Sequence, residues 1–191
     1  HLWERGTAPF IFGTMFPEFP EMVKLAPQGK PVVIRHSKDS FLKDGCYEER
    51  STGYTGAAVR MFLIPHRLAK LNGTSVLDRA AVGRLKRCSE NGALMLLPDG
   101  TLPDLGDGRP TVSGSGSMLG QGAALFGSRV CATAAKRLRL TDKVSKEDRP
   151  SLRTLKPVDL PLTVYHPSAG YFVAREKWTP SASGMSFSTP G

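Results

Sequence analysis

Three acids, a base and two tyrosines are gathered in one short stretch, Asp44-Gly45-Cys46-Tyr47-Glu48-Glu49-Arg50-Ser51-Thr52-Gly53-Tyr54, which runs straight into a helical pattern. Carboxylates and a phenol in such a place can move protons, and a helix N-terminus stabilises negative charge beside it. The surrounding chain carries 26 Lys and Arg against 17 Asp and Glu, a net charge of +9. That balance favours contact with polyanions, whether nucleic acid, anionic lipid or acidic polysaccharide. The stretch therefore suits work on an acidic polymer better than a plain structural turn.

Other chemistries find little support. Cys46, Cys88 and Cys131 are far apart in sequence and odd in number. Without a C-x-x-C pair they signal neither a zinc site nor a redox motif, and they read as buried free thiols. The Gly114-x-Gly116-x-x-x-Gly120 run lacks the Lys-Ser/Thr ending of a phosphate loop and follows no expected strand. His36 lies in a polar stretch and reads as solvated, His66 as a structural histidine within an apolar helix, and His166 as a turn residue at a strand end. No apolar run approaches the ~20 residues of a membrane span.

The elements that must position these residues come in two kinds. Leu2–Met15 is apolar with an expected break at Pro9, and Phe16-Pro17-Glu18-Phe19-Pro20-Glu21 reads as a turn. Lys30–Leu42 is a short segment leading to the Asp44-Gly45 turn. From Tyr54 to Leu71 the apolar positions Ala57, Ala58, Met61, Phe62, Leu68 and Leu71 keep helical spacing, with a kink expected at Pro65 and a close at Asn72-Gly73. A second helix is expected from a Ser75 cap to Pro98-Asp99-Gly100. Thr101 to Ser117, rich in glycine and holding Pro103 and Pro110, reads as a loop, and Met118–Leu138 as a third helix. The charged stretch Thr141 to Pro157 reads as an exposed linker. After it the periodicity falls to two, giving strands at Leu160–Tyr165, Tyr171–Arg175 and Ser186–Ser188. The expected fold class is mainly α followed by β.

Three passages resemble the heparinase II/III-like polysaccharide lyases. They are Asp44-Gly45 with Glu49-Arg50-Ser51-x-x-Tyr54; Pro98-Asp99-Gly100 with Leu102-Pro103 and Gly106-Asp107; and His166-Pro167-x-x-Gly170-Tyr171-x-Val173-x-Arg175-x-x-Trp178. The Phe16-Pro17-Glu18 turn stands at the expected distance upstream. The resemblance implies an incomplete (α/α) toroid leading into an antiparallel β-sandwich. Residues 1–140 would be the later part of the toroid, 141–157 a charged linker, and 158–191 the first strands of the sandwich, so that the chain is a piece of a larger enzyme.

The activity implied is β-elimination on a uronic-acid-containing glycan: a base removes the C5 proton and an acid protonates the departing O4 oxygen. The C5 proton is weakly acidic while the neighbouring carboxylate is charged, so donors or cations must neutralise that carboxylate first. The resemblance makes Tyr54 the general acid/base and Glu49 an acid that orients a sugar hydroxyl or a neighbouring base. Many relatives carry His directly after the tyrosine, where this chain has Thr55. His1 falls fifteen residues before Phe16, which the resemblance identifies with the second member of an Asn-His pair. Trp3 is a candidate to stack on a sugar ring, and Arg50 to bind substrate; Asp107 falls in a loop near the family's cleft. A second catalytic histidine and metal-binding histidines are implied only in the sandwich beyond Gly191, so no cofactor or metal is expected in this chain, which would be inactive alone. The resemblance favours a periplasmic or secreted location over a cytoplasmic one, and the residues themselves leave the compartment open. The alternative is a non-catalytic helical module binding a polyanion, glycan or nucleic acid, through Lys136, Arg137, Arg139, Lys143 and Lys146. Aromatics are not interleaved among those cations and no nucleic-acid motif is present, so no specific nucleic-acid partner is expected.

Overall fold

The computed structural model describes residues 1–107, 109 and 111–189; Gly108 and Pro110 of the glycine-rich loop and the terminal Pro190 and Gly191 lie outside the described residues. Helices run as far as Thr154 and a three-stranded antiparallel sheet follows, so the α-then-β order expected of the sequence holds. The helices are α1 (Ala8–Met15), α2 (Pro20–Val23), α3 (Leu25–Asp39), α4 (Thr52–Leu71), α5 (Arg79–Met95), α6 (Val112–Phe126), α7 (Arg129–Arg137) and α8 (Arg149–Thr154). The strands are β1 (Thr163–His166), β2 (Tyr171–Arg175) and β3 (Gly184–Ser188), in the order β1-β2-β3 with Val164 opposite Val173 and Phe172 opposite Phe187.

The expected break at Pro9 does not occur. A π-helical turn, Trp3–Thr7, feeds directly into α1, and the Ala8 N–H bonds to the Trp3 carbonyl. Pro9 falls in the first turn of α1, where a missing N–H is least costly. Lys30–Leu42 proves to be the end of the longer α3, which holds Pro31 inside it. Pro65 likewise stays within α4, which runs unbroken to the Asn72 cap and Gly73 at φ 64°.

Caps explain the other departures. Asp78, not Ser75, starts α5, its carboxylate accepting the Ala81 N–H at 2.6 Å. Thr111 caps α6 through the Gly114 N–H, so helix begins inside the stretch expected as a loop. The expected third helix is two. Gly127, left-handed at φ 61°, ends α6, and Ser128 caps α7 by accepting the Cys131 N–H.

Two clusters of buried side chains fill the interior. One joins α1, α3, α4 and α5 around Phe10, Val33, Val59, Phe62 and Leu85; the other joins α5 to α8 and the sheet around Leu96, Leu119, Val144, Leu152 and Val173. The charged stretch 141–157 is therefore not a free strand of chain. It carries α8, buries Val144 and Leu152, and sets the buried Asp148 against Arg67 at 2.5 Å. Gly29 lets α3 lie directly on the first helical turns: a Cβ there would strike the Gly6 carbonyl and come within 2.8 Å of the Phe10 nitrogen.

Two polar clamps fix the sheet to the helices. Asp44 uses one carboxylate oxygen to accept the Cys46 N–H, and the other to accept the Ser168 and Ala169 N–H groups at 2.8 and 3.1 Å. Arg175 donates to the carbonyls of Leu94, Leu96 and Pro161 and lies 4.1 Å over the Trp178 ring. Both clamps come from the passages singled out in the sequence.

Candidate functional site

The N-terminus of α4 is where those passages meet. Ser51 caps the helix, accepting the Tyr54 N–H at 3.2 Å, and its hydroxyl donates to the Asp107 carbonyl. Thr52 donates its N–H to the Leu105 carbonyl at 3.0 Å and its hydroxyl to the Pro103 carbonyl. Gly106 makes this possible. At φ 74° it adopts a backbone that favours glycine, and a Cβ there would press on the Arg50 carbonyl at 2.5 Å. The loop 102–107 thus holds the start of α4, and with it the first turn that carries Tyr54.

On the outer side of that turn lies a cleft of about 390 Å³. Its walls include His1, Glu48, Glu49, Tyr54 and Met61, with His36 and Ser40 from the end of α3. His1 reaches it because the π-helical turn is tied to α4, the Thr7 hydroxyl donating to the Met61 carbonyl at 3.1 Å. Three of the residues proposed from sequence, His1, Glu49 and Tyr54, therefore share one cavity although 53 positions separate the first from the last. Trp3 and Arg50 are not in its lining. Trp3 is half exposed on the π-helical turn. Arg50 is exposed with a left-handed backbone at φ 50°, its N–H bonded to the Tyr47 carbonyl.

His36 is the cleft residue that sequence reasoning passed over. It was expected to be solvated, yet its Nε2 is buried without a hydrogen-bond partner. Its neighbour on the wall, Tyr47, has its phenol pushed up to about 12, by burial first and then by the Glu49 and Glu48 carboxylates. Tyr47 therefore stays protonated at neutral pH and acts as a hydrogen-bond donor. The cleft holds two imidazoles, two phenols and two carboxylates, a set able to give and take protons around a bound polyol. An adjoining cavity of about 160 Å³ shares Ala57 and is lined by Arg60, Arg109, Thr111 and Ser115, which adds cationic and hydroxyl donors beside it.

Two histidines keep the structural places expected of them. His66 is buried and stacked on Phe126 at 6.0 Å, and His166 closes β1. All three cysteines are buried and free. The basic cluster at 136–146 is partly engaged: Lys136 donates to the Leu155 carbonyl, and Lys143 lies 3.3 Å from the Asp142 carboxylate. Among the described residues no helix is long and apolar enough to cross a membrane.

A family model described as heparinase II/III N-terminus matches residues 1–129, the segment that holds the whole cleft. The chain belongs to the heparinase II/III family. The fold agrees with solved members. The heparan sulfate lyase HepC from Pedobacter heparinus superposes with a TM-score of 0.72 at 22% identity, covering 95% of this chain and 27% of that one. A heparinase III, the BT4657 gene product, gives the same TM-score, identity and coverage. A further heparinase III gives 0.70 at 21% identity, over 95% of this chain and 28% of that one. The chain thus spans about a quarter of the length of these heparinases. No curated protein matches it.

Proposed function

We propose that this chain supplies the proton-transfer half of a polysaccharide lyase, cleaving a uronic-acid-containing glycan by β-elimination with Tyr54 as general acid/base. The observation that carries the reading is the cleft itself. It brings His1 from the start of the chain into one lining with Glu49 and Tyr54, in a member of the heparinase II/III family. The heparan sulfate lyase named for HepC makes a sulfated uronan the first substrate to try.

The roles follow from the chemistry of the step. Tyr54 stands in the first turn of α4, where the aligned N–H groups favour a phenolate in the transition state. His1 and His36 offer imidazoles that carry positive charge when protonated, and Arg60 and Arg109 line the adjoining cavity across Ala57, so cations stand ready to neutralise the sugar carboxylate as the C5 proton leaves. Glu49 orients a sugar hydroxyl, and Tyr47 donates a hydrogen bond. Arg50 and Trp3 stand outside the cleft lining and would meet the polymer only beyond the cleaved unit. Residues 1–140 would belong to an α/α toroid and 158–191 to the opening strands of a β-sandwich.

The test is the appearance of unsaturated uronate absorbance on a panel of acidic polysaccharides, using the protein as its gene encodes it beside its Tyr54→Phe variant. Loss of one positioned acid/base group should lower kcat by about 10²–10⁴-fold. The exposed hydroxyl of Tyr54 contributes little to folding, so the melting temperature should hold. An unchanged rate in Tyr54→Phe would remove the tyrosine from the mechanism, and no signal on any uronan would favour the polyanion-binding alternative.

A further inference from the structure

Away from the cleft, a second group of side chains converges where the helices meet the sheet. Asp44 and Cys46 come from the loop between α3 and α4, and His166 from the end of β1, 120 positions later. One ligand atom from each, a carboxylate oxygen, the thiol sulfur and an imidazole nitrogen, lie within 4.8 Å of one another. Cys46 and His166 are each only 5% exposed. The Nε2 of His166 is buried and makes no hydrogen bond to the protein, which is unusual for a buried polar atom. Tyr171, the cross-strand partner of His166, also has a buried hydroxyl without a partner.

We propose that Asp44, Cys46 and His166 form a site for a zinc-class divalent cation that fastens the loop before α4 to the sheet. A mixed sulfur, nitrogen and oxygen set is the donor chemistry of Zn²⁺; Ca²⁺ and Mg²⁺ take oxygen ligands and are disfavoured by the thiolate. Tetrahedral coordination with bonds of about 2.0–2.3 Å puts ligand atoms roughly 3.5 Å apart, so the three side chains close by about 1 Å around the ion. On binding, Cys46 releases its proton to solvent and three coordinate bonds form. The thiolate and the Asp44 carboxylate then balance the charge of the ion.

The supports are in place. The N–H groups of Cys46, Ser168 and Ala169 already hold the Asp44 carboxylate, as outer-shell donors hold metal-bound carboxylates. Cys46 and Tyr171 line a cavity of about 10 Å³, close to the room one water occupies, which suits a fourth, solvent ligand hydrogen-bonded to the Tyr171 hydroxyl.

Metal-stripped protein titrated with Zn²⁺ should bind one ion per chain and melt at a higher temperature. With Co²⁺ it should show a thiolate-to-metal charge-transfer band. His166→Ala should weaken binding by more than the about 10–100-fold that loss of an outer-shell partner costs, and Cys46→Ser should abolish the band. Cys131→Ser, which alters a buried free thiol outside both the trio and this cavity, should leave both unchanged. The cobalt spectrum of the unaltered protein decides the matter even where a variant fails to fold. No charge-transfer band, or zinc affinity equal in a folded His166→Ala protein, would overturn the proposal.

Discussion

Arg175 gives the sharpest test of how the sheet is held, because two large and opposed terms meet in one side chain. Its guanidinium is buried, and among the described residues no carboxylate pairs with it. Burial pulls its pKa down to about 10, so keeping the charge there costs on the order of 3 kcal/mol at neutral pH. Against this stand three carbonyls and a ring. The Leu94 carbonyl, bonded at 2.6 Å, lies one turn before Pro98, which has no N–H to offer it; Leu96 is the C-cap of α5. A cation is favoured at that end of a helix. Pro161 is less dependent, since its carbonyl also accepts the Trp178 indole N–H at 3.0 Å. In Arg175→Met the charge cost disappears, but two buried carbonyls lose their partner at about 1–3 kcal/mol each. The contact with Trp178 contributes a further ~0.5–2 kcal/mol. At central values the unmet carbonyls and the lost ring contact win, leaving the variant about 2 kcal/mol less stable, a fall in melting temperature of roughly 4–8 °C for a chain of this size. Thermal melts followed by circular dichroism measure it. A variant that melts at or above the parent would show that desolvation outweighs the hydrogen bonds and refute the clamp.

Two further outcomes follow from the same contacts. Ser51→Ala removes the cap of α4 and the bond to Asp107, costing about 1–2 kcal/mol; urea melts should show it, with Ser51→Thr largely preserved, and equal midpoints in all three would deny the cap its role. His66 is held below its usual pKa by burial and then by Lys70. The unfolded chain therefore takes up the His66 proton first as pH falls, so this contribution is whole above about pH 6.5 and declines below it, through the folded value. The melting temperature of His66→Phe should fall less steeply on acidification, and parallel curves for the two proteins would refute the assignment.

The order of helix and strand was legible because periodicity survives in a single sequence: Ala58, Met61 and Phe62 stand three and four apart on one helical face, and Tyr171, Val173 and Arg175 alternate onto the buried face of β2. Caps were legible in type but ambiguous in place. Ser75 and Asp78 both satisfy the rule, and only packing of Val76 and Leu77 into the core ahead of the helix selects the later one. Gly127-Ser128 carries the chemistry of a helix end followed by a helix start, yet the small apolar residues on either side read as one helix. The charged stretch at 141–157 misled because composition averages over positions. Two apolar residues, Val144 and Leu152, are enough to seat it once Asp148 finds Arg67.

The site shows the same division between what lies close in sequence and what only folding joins. Glu49 and Tyr54 are neighbours along the chain, so local pattern finds them. His36 belongs to the cleft only because Gly29 lets α3 lie against the π-helical turn and because that turn is bonded to Met61 of α4. No spacing rule connects position 36 with position 54. The trio Asp44, Cys46 and His166 is hidden for the same reason: Cys46 read alone is a buried thiol, and His166 read alone is the end of a strand. It is the Asp44 carboxylate, drawn to the amides of Ser168 and Ala169, that brings the two within reach of one ion. A residue whose sequence-level role is a turn thus becomes the hinge of two sites. It fixes the loop that leads to Tyr54 on one side, and it gathers a sulfur and a nitrogen on the other.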